Sequence, residues 1–219
     1  MRNRIAGLVL LSLVAAGSQA WAEAYLDLYA GPSFTDSSRV EIKSDAAVTD
    51  REVSFSQNTT YGLRSGYWFS GAPWVGVGGD VNFMRAKGDK AKFDLFCLTP
   101  MAMFRLPLLK SEEIPQGVLQ PYAGLGPSLA VYTYASADLG PPTNNINGSN
   151  ASLGLQIPAG MALQLSKHVA LFAEYRFDWY KVVIMESNHT IFGTNHDVAN
   201  KLTAALDIHN ALFGVSFRF

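Results

Sequence analysis

The sequence has one cysteine, few charges and no long apolar run, and each shortage excludes something. With Cys97 alone there is neither an intramolecular disulfide nor a thiolate metal cluster; Cys97 reads as a small apolar residue on a strand. Only 16% of residues are charged, yet no segment offers the about 20 clean apolar residues of a spanning helix. The longest uncharged stretches, Leu119 to Ala137 and Leu139 to Ser166, are broken by Pro, Gly and Asn. A helical membrane protein is thereby excluded. There is no basic excess either: 17 Lys and Arg stand against 18 Asp and Glu, which argues against nucleic acid as a partner.

What is present is alternation. In the last nine residues, Ala211, Phe213, Val215, Phe217 and Phe219 are apolar, while Gly214, Ser216 and Arg218 between them are small or polar. Period two means a strand with one apolar and one polar face. Such an edge at the end of a soluble protein invites aggregation, whereas a closed barrel in a membrane has no edge. At the other end, Arg2 and Arg4 precede the apolar run Ile5 to Ala16, and Ala20-Trp21-Ala22 is a small-x-small cleavage pattern. Residues 1–22 therefore read as a signal peptide and residues 23–219 as one domain.

Seven further strands are expected upstream. Strand one, Ala24 to Phe34, sets Leu26, Leu28 and Ala30 against Tyr25, Asp27 and Tyr29. Strand two, Thr59 to Phe69, opposes Tyr61, Leu63 and Tyr67 to Gly62, Arg64 and Gly66. Strand three, Trp74 to Arg85, opposes Val75, Val77, Val81 and Phe83 to Gly76, Gly78, Asp80 and Asn82. Strand four, about Lys92 to Leu106, alternates too poorly to assign its outward face. Strand five runs from Leu119 to Ala135, strand six from Ala151 to Leu165 and strand seven from Val169 to Lys181. On strand seven Glu174, Arg176 and Asp178 oppose Tyr175, Phe177 and Trp179. The fold expected is all-β, an eight-stranded antiparallel transmembrane β-barrel with long polar connections at one end and tight turns at the other.

Several features fit that frame less well. The connection Thr35 to Asn58 reads as a long polar loop, and the one from Pro107 to Val118 is long for a periplasmic turn. Pro127 and Pro158 fall inside strands, where bulges are expected. Leu202, Leu206 and Ile208 reverse the apolar parity of the last strand, so Lys201 to Asn210 is read as a strand extension or structured loop, with a short helix as the alternative.

The signal-like start, the Tyr25-Leu26-Asp27-Leu28-Tyr29-Ala30-Gly31-Pro32 opening and the Gly214-Val215-Ser216-Phe217-Arg218-Phe219 ending resemble the OmpA/OmpX-like outer-membrane β-barrel superfamily. The resemblance implies the outer membrane of a Gram-negative cell. It also implies that the final strand (Phe213, Val215, Phe217, Phe219) is an assembly signal read by the barrel-assembly machinery. Its members range from anchors and adhesins to small channels and a few lipid-modifying enzymes, so the fold does not decide the activity.

The inward charges Asp27, Arg64, Asp80, Glu174, Arg176 and Asp178 are expected to form a salt-bridged plug, because an eight-stranded barrel is only wide enough for side chains and buried charges need partners. A gated ion path is the alternative. His168 is expected to be solvated in a tight turn. His189, His196 and His209 lie in or near the last long loop with Glu186 and Asp197, where a triad or a metal site is conceivable, although no familiar spacing is present. Asn58, Asn147, Asn150 and Asn188 begin Asn-x-Ser/Thr patterns that reflect loops rich in those residues. Tyr25, Tyr67, Trp68, Trp74, Trp179 and Tyr180 are expected in interfacial girdles. The function expected is structural or surface-interacting and non-enzymatic, with no cofactor or metal. Its expected partners are membrane lipid, lipopolysaccharide and an external ligand at the long loops. A narrow channel is the alternative, lined by small inward residues (Gly76, Gly78, Gly124, Gly126, Ser128, Gly154, Gly160). A lipid A-modifying enzyme is a third reading.

Overall fold

The structure, a computed structural model, describes residues 23–36, 38–44, 47–53, 55–88, 91–136, 146–185 and 201–219. The strands are β1 (Glu23–Thr35), β2 (Ser38–Ser44), β3 (Ala47–Val53), β4 (Phe55–Ser56), β5 (Asn58–Phe69), β6 (Ala72–Gly88), β7 (Ala91–Arg105), β8 (Leu119–Ser136), β9 (Ile146–Ser166), β10 (Val169–Met185) and β11 (Lys201–Arg218). Eight of them, β1 and β5 to β11, pair antiparallel with their neighbours in sequence order. The ring closes between β1 and β11, where Leu26 faces Phe217 and Ala30 faces Phe213.

The closed ladder leaves every stave with one face out and one in. Outside lie Leu63, Phe96, Leu98, Leu129, Leu153, Tyr175 and Phe213, all exposed. A soluble monomer does not carry so large an apolar surface; a bilayer covers it. A tilted strand needs about 9–11 residues to cross, whereas β8 has 18, β9 has 21 and β11 has 18. The staves therefore rise well beyond the hydrocarbon at the end away from the short turns.

Three details differ from the sequence reading and one open point is decided. The stretch after β1 is not a loop alone: β2 pairs with β3 and with the far end of β11 (Lys43 with Lys201), widening the wall there. Its period-two pattern, Arg39-Val40-Glu41-Ile42-Lys43, is masked in the sequence by its charge. No bulge marks the prolines. Pro127 lies opposite Leu155 in a β8–β9 register that is the same on both sides of it, and Pro158 lies opposite Arg176 in continuous β9–β10 register. Register shifts occur instead beside the tight turns, at Trp68/Phe69 and Val169/Ala170. His168 is tied down rather than merely solvated, its Nδ1 standing 3.0 Å from the Arg218 carbonyl oxygen. Finally, β11 is a continuous strand over residues 201–218, so the strand-extension reading holds and the helix does not form.

Strand four of the sequence reading, β7, now has its faces. Phe93, Leu95, Cys97, Thr99, Met101, Met103 and Arg105 point inward, and Phe96, Leu98 and Phe104 outward. It alternated poorly because its inner face is apolar over most of its length.

Candidate functional site

The lumen is the site, and the alternation of eight staves fills it. At its middle, Arg64 of β5 reaches Asp27 of β1 through Nε (3.0 Å) and Glu174 of β10 through Nη1 (2.8 Å). Arg176 lies two residues from Glu174 on the same face of β10 and donates to its Oε1 (2.7 Å). The same guanidinium crosses to Asp80 of β6 at 3.3 Å and donates to the Tyr29 hydroxyl at 2.8 Å. Tyr29 in turn donates to Asp80 (2.7 Å), and Ser216 donates to Asp27. With its amide oxygen turned toward Arg176, Gln156 accepts from Nε (3.0 Å) and Nη1 (2.8 Å). Five of the six expected charges thus join one network. The sixth, Asp178, is buried beside it, receives Asn210 Nδ2 at 2.7 Å and has no ion-pair partner among the described residues.

A second ionic group was not legible in the sequence. Glu23, Arg105 and Arg218 meet at the short-turn end, with Arg105 Nη2 to Glu23 at 2.6 Å and Arg218 Nη1 to Glu23 at 3.3 Å. These residues sit at strand termini, where charges ordinarily read as solvated. Only ring closure brings the first stave beside the last. Each lumenal guanidinium also lies against an aromatic face: Arg64 on Tyr122 (5.6 Å), Arg105 on Trp68 (4.4 Å), Arg176 on Tyr29 (4.5 Å) and Arg218 on Tyr25 (5.3 Å).

Above the ions the lumen turns apolar. Met84, Phe93, Leu95, Tyr132, Tyr180, Val182, Leu206 and Ile208 form one buried cluster that includes Cys97. The even-numbered Leu206 and Ile208, whose parity looked reversed, point inward into this cluster. Tyr25, Trp68 and Tyr180 are buried in the lumen rather than in an interfacial girdle, because their parity is that of the inner face; Tyr67, Trp74 and Trp179 do face outward.

The inward glycines are where neighbouring rings and thioethers lie. A Cβ on Gly154 would meet Tyr180 Cδ1 at 2.4 Å, on Gly76 Trp68 Cε3 at 2.7 Å, on Gly124 Met103 Sδ at 2.5 Å and on Gly160 Tyr122 Cζ at 2.8 Å.

Of the histidines, His189 and His196 lie outside the described residues, as do Glu186 and Asp197. His209 is on the outer wall, 2.6 Å from the Tyr175 hydroxyl and 3.5 Å from Asp36 Oδ2. Outside the membrane band, Asp94 accepts from Arg85 and sits 3.0 Å from Lys92. Slight burial pushes its carboxyl up, but the hydrogen bonds and charges of these two cations outweigh it and hold Asp94 below the usual carboxylate range.

A closed antiparallel barrel with a lipid-facing outer wall and a charge-paired interior is a β-barrel integral membrane protein, and its class is the eight-stranded outer-membrane barrel. The chain belongs to the outer membrane protein beta-barrel domain family, whose model matches residues 6–219, and its place is the outer membrane. Its fold is similar to that of AlkL, solved in DMPC lipid bilayers by solid-state NMR (TM-score 0.57, 14% identity, 94% of each chain covered). It is also similar to the outer membrane protein OprG from Pseudomonas aeruginosa (TM-score 0.54, 18% identity, 93% of this chain and 98% of that one). A third such structure is a major outer membrane protein from Thermus thermophilus (TM-score 0.50, 13% identity, 90% and 99% covered). Among curated proteins none matches.

Proposed function

We propose that this barrel is a closed scaffold of the outer membrane that works through its surface and conducts no solute. The observation that carries this reading is the filling of the inward glycine run. The small residues that would line a channel are the places where Trp68, Met103, Tyr122 and Tyr180 lie. Those rings stand within the ionic network and the apolar cluster themselves, both of them buried. Single-channel recording in planar bilayers tests it. The expected trace is flat, and regular conductance steps would replace the scaffold with the narrow channel.

The surface then carries the interactions. Where the outer wall turns polar, Arg85, Lys87 and Lys181 are exposed and suit the phosphates of outer-leaflet lipopolysaccharide. The connections at that end suit an external ligand. During biogenesis the outward row Phe213, Val215, Phe217 and Phe219 serves the assembly machinery. Exported residues 23–219 following a cleaved signal at 1–22 complete the proposal.

A lipid-modifying activity has one observation in its favour, the Asp36, His209 and Tyr175 chain on the outer wall. Mass spectrometry of lipid A from cells with and without the protein separates the readings. An unchanged spectrum is expected, and a shift by one acyl chain that disappears in His209→Ala would establish the enzyme.

A further inference from the structure

At the rim opposite the short turns, the outer wall is not uniform in charge. On β6 and β7 the outward residues pass from apolar to cationic within a few rungs. Val81 lies opposite Leu98 and Phe83 opposite Phe96, and then come Arg85 opposite Asp94 and Lys87 opposite Lys92. Tyr61 of β5 flanks Phe83, with ring centroids 5.4 Å apart, and Val131 of β8 flanks Phe96. The arc of β10, β11 and β1 is built differently. There Trp179 lies opposite Asp207, Lys181 lies opposite Ala205, and His209 meets Asp36.

The β6–β7 group has donors left over. Arg85 Nε donates to Asp94 Oδ1, and Lys92 Nζ stands 3.0 Å from Oδ2 of the same carboxylate. Asp94 thus draws two cationic heads together, yet the Arg85 and Lys92 side chains remain 46% and 42% exposed. The terminal nitrogens of Arg85 have no partner among the described residues, and Lys87 has no ion-pair partner among them. Lys87 and Lys92 share one face of the sheet directly opposite each other. Like charges so placed are destabilising by themselves, and an anion between them reverses the sign. Three cations around one carboxylate leave a formal charge of +2 within about 7 Å of strand.

The geometry points to a docking surface for one lipid of the outer leaflet, a lipid A molecule whose phosphate sits among Arg85, Lys87 and Lys92. Its acyl chains descend over Tyr61, Phe83 and Phe96. A phosphomonoester carries about −1.5 to −2, which balances the patch, and its oxygens accept charge-assisted hydrogen bonds from guanidinium and ammonium groups. The aliphatic stems of the three cations lie along the apolar wall while their heads stay at headgroup level, and the rings mark the boundary where the chains begin. This inference rests on the reading of the barrel as a scaffold that works through its surface, and it names the lipid and the face.

The test uses the protein purified in neutral detergent and native mass spectrometry, with bisphosphorylated lipid A as probe and the same lipid stripped of its phosphates as control. One lipid A per barrel is expected, bound at least about tenfold more tightly than the stripped lipid. The double variant Lys87→Gln/Lys92→Gln should remove most of that preference, whereas Lys181→Gln should change it by less than about twofold. These are exposed side chains, and an unchanged heat-shifted gel migration confirms that each variant is folded. Raising ammonium acetate from about 0.01 M to 1 M should weaken lipid A and leave the stripped lipid unaffected. Equal retention of the two lipids would overturn the surface, as would a double variant that binds like the parent. An equal loss in Lys181→Gln would overturn it too, by showing diffuse attraction to any cation. So would phosphatidylglycerol held as tightly as lipid A, which would make the occupant an ordinary phospholipid. Planar-bilayer recording separates this surface from the scaffold reading. A flat trace without lipid preference removes the surface alone, and conductance steps with the preference intact remove the scaffold alone.

Discussion

From the short-turn mouth up to Arg176 the lumen is ionic: four guanidiniums, each against an aromatic ring, are interleaved with the carboxylates of Glu23, Asp27, Asp80 and Glu174. Above Arg176 the same staves present Leu95, Tyr132, Tyr180, Leu206 and Ile208, and no cation among the described residues enters that cluster. Both halves are buried, and they are held by opposite means. In the lower half each charge depends on its neighbour, because an unpaired buried ion is far costlier than a paired one is favourable. In the upper half stability follows apolar area and fit, which are tolerant of chemistry and intolerant of voids.

The largest effect should come from removing one hub. Arg176→Ala leaves Asp80 and part of Glu174 unbalanced in a buried site and should cost about 3–5 kcal/mol, read as the urea midpoint of the barrel in micelles. A loss under about 1 kcal/mol would mean that packing holds the lower half too, and the contrast would collapse. Leu206→Ala in the upper half should cost about 3 kcal/mol through the cavity it leaves, with no dependence on salt, because the cluster around it holds no charged side chain. A salt-dependent loss would show that ions reach the upper half.

Gly154→Val tests the fit between the glycine notches and their rings. The new side chain would collide with Tyr180, and with the Trp179 carbonyl oxygen, for about 1–3 kcal/mol. Combining it with Tyr180→Ala should recover part of that loss, whereas strict additivity of the two would mean that ring and notch do not share a space. The smallest effect belongs to Asp94, outside the bilayer. Its folded carboxyl titrates below the ordinary 3.8, so its stabilisation is fully present above that pH and is lost as pH falls through the lower folded-state value. Partly exposed and screened, it is worth under about 1 kcal/mol. Asp94→Asn should therefore trail the parent slightly at neutral pH and meet it in acid, and high salt should erase the gap at any pH.

How far the sequence could be read follows the same division of the lumen. Where inward residues are charged, as at Asp27, Arg64 and Glu174, alternation assigns strand and face at once. Where they are apolar, as in β7 and the far part of β11, both faces look alike and the period disappears. Strand ends behaved differently again. Glu23, Arg105 and Arg218 are far apart in sequence and at termini, so their meeting was invisible until β1 and β11 closed the ring. The prolines misled for a related reason: alternation marks faces, but it does not say which N–H a neighbouring stave requires, and Pro127 keeps its register without a bulge.

By itself the sequence determined the eight staves, their faces where polarity contrasts, and the closed membrane barrel, because period two and the bilayer's demand for satisfied backbone leave few alternatives. Only the tertiary structure decided which charge meets which, and that the glycine run is filled rather than open. Those are contacts between residues distant in the chain, and no local period encodes them.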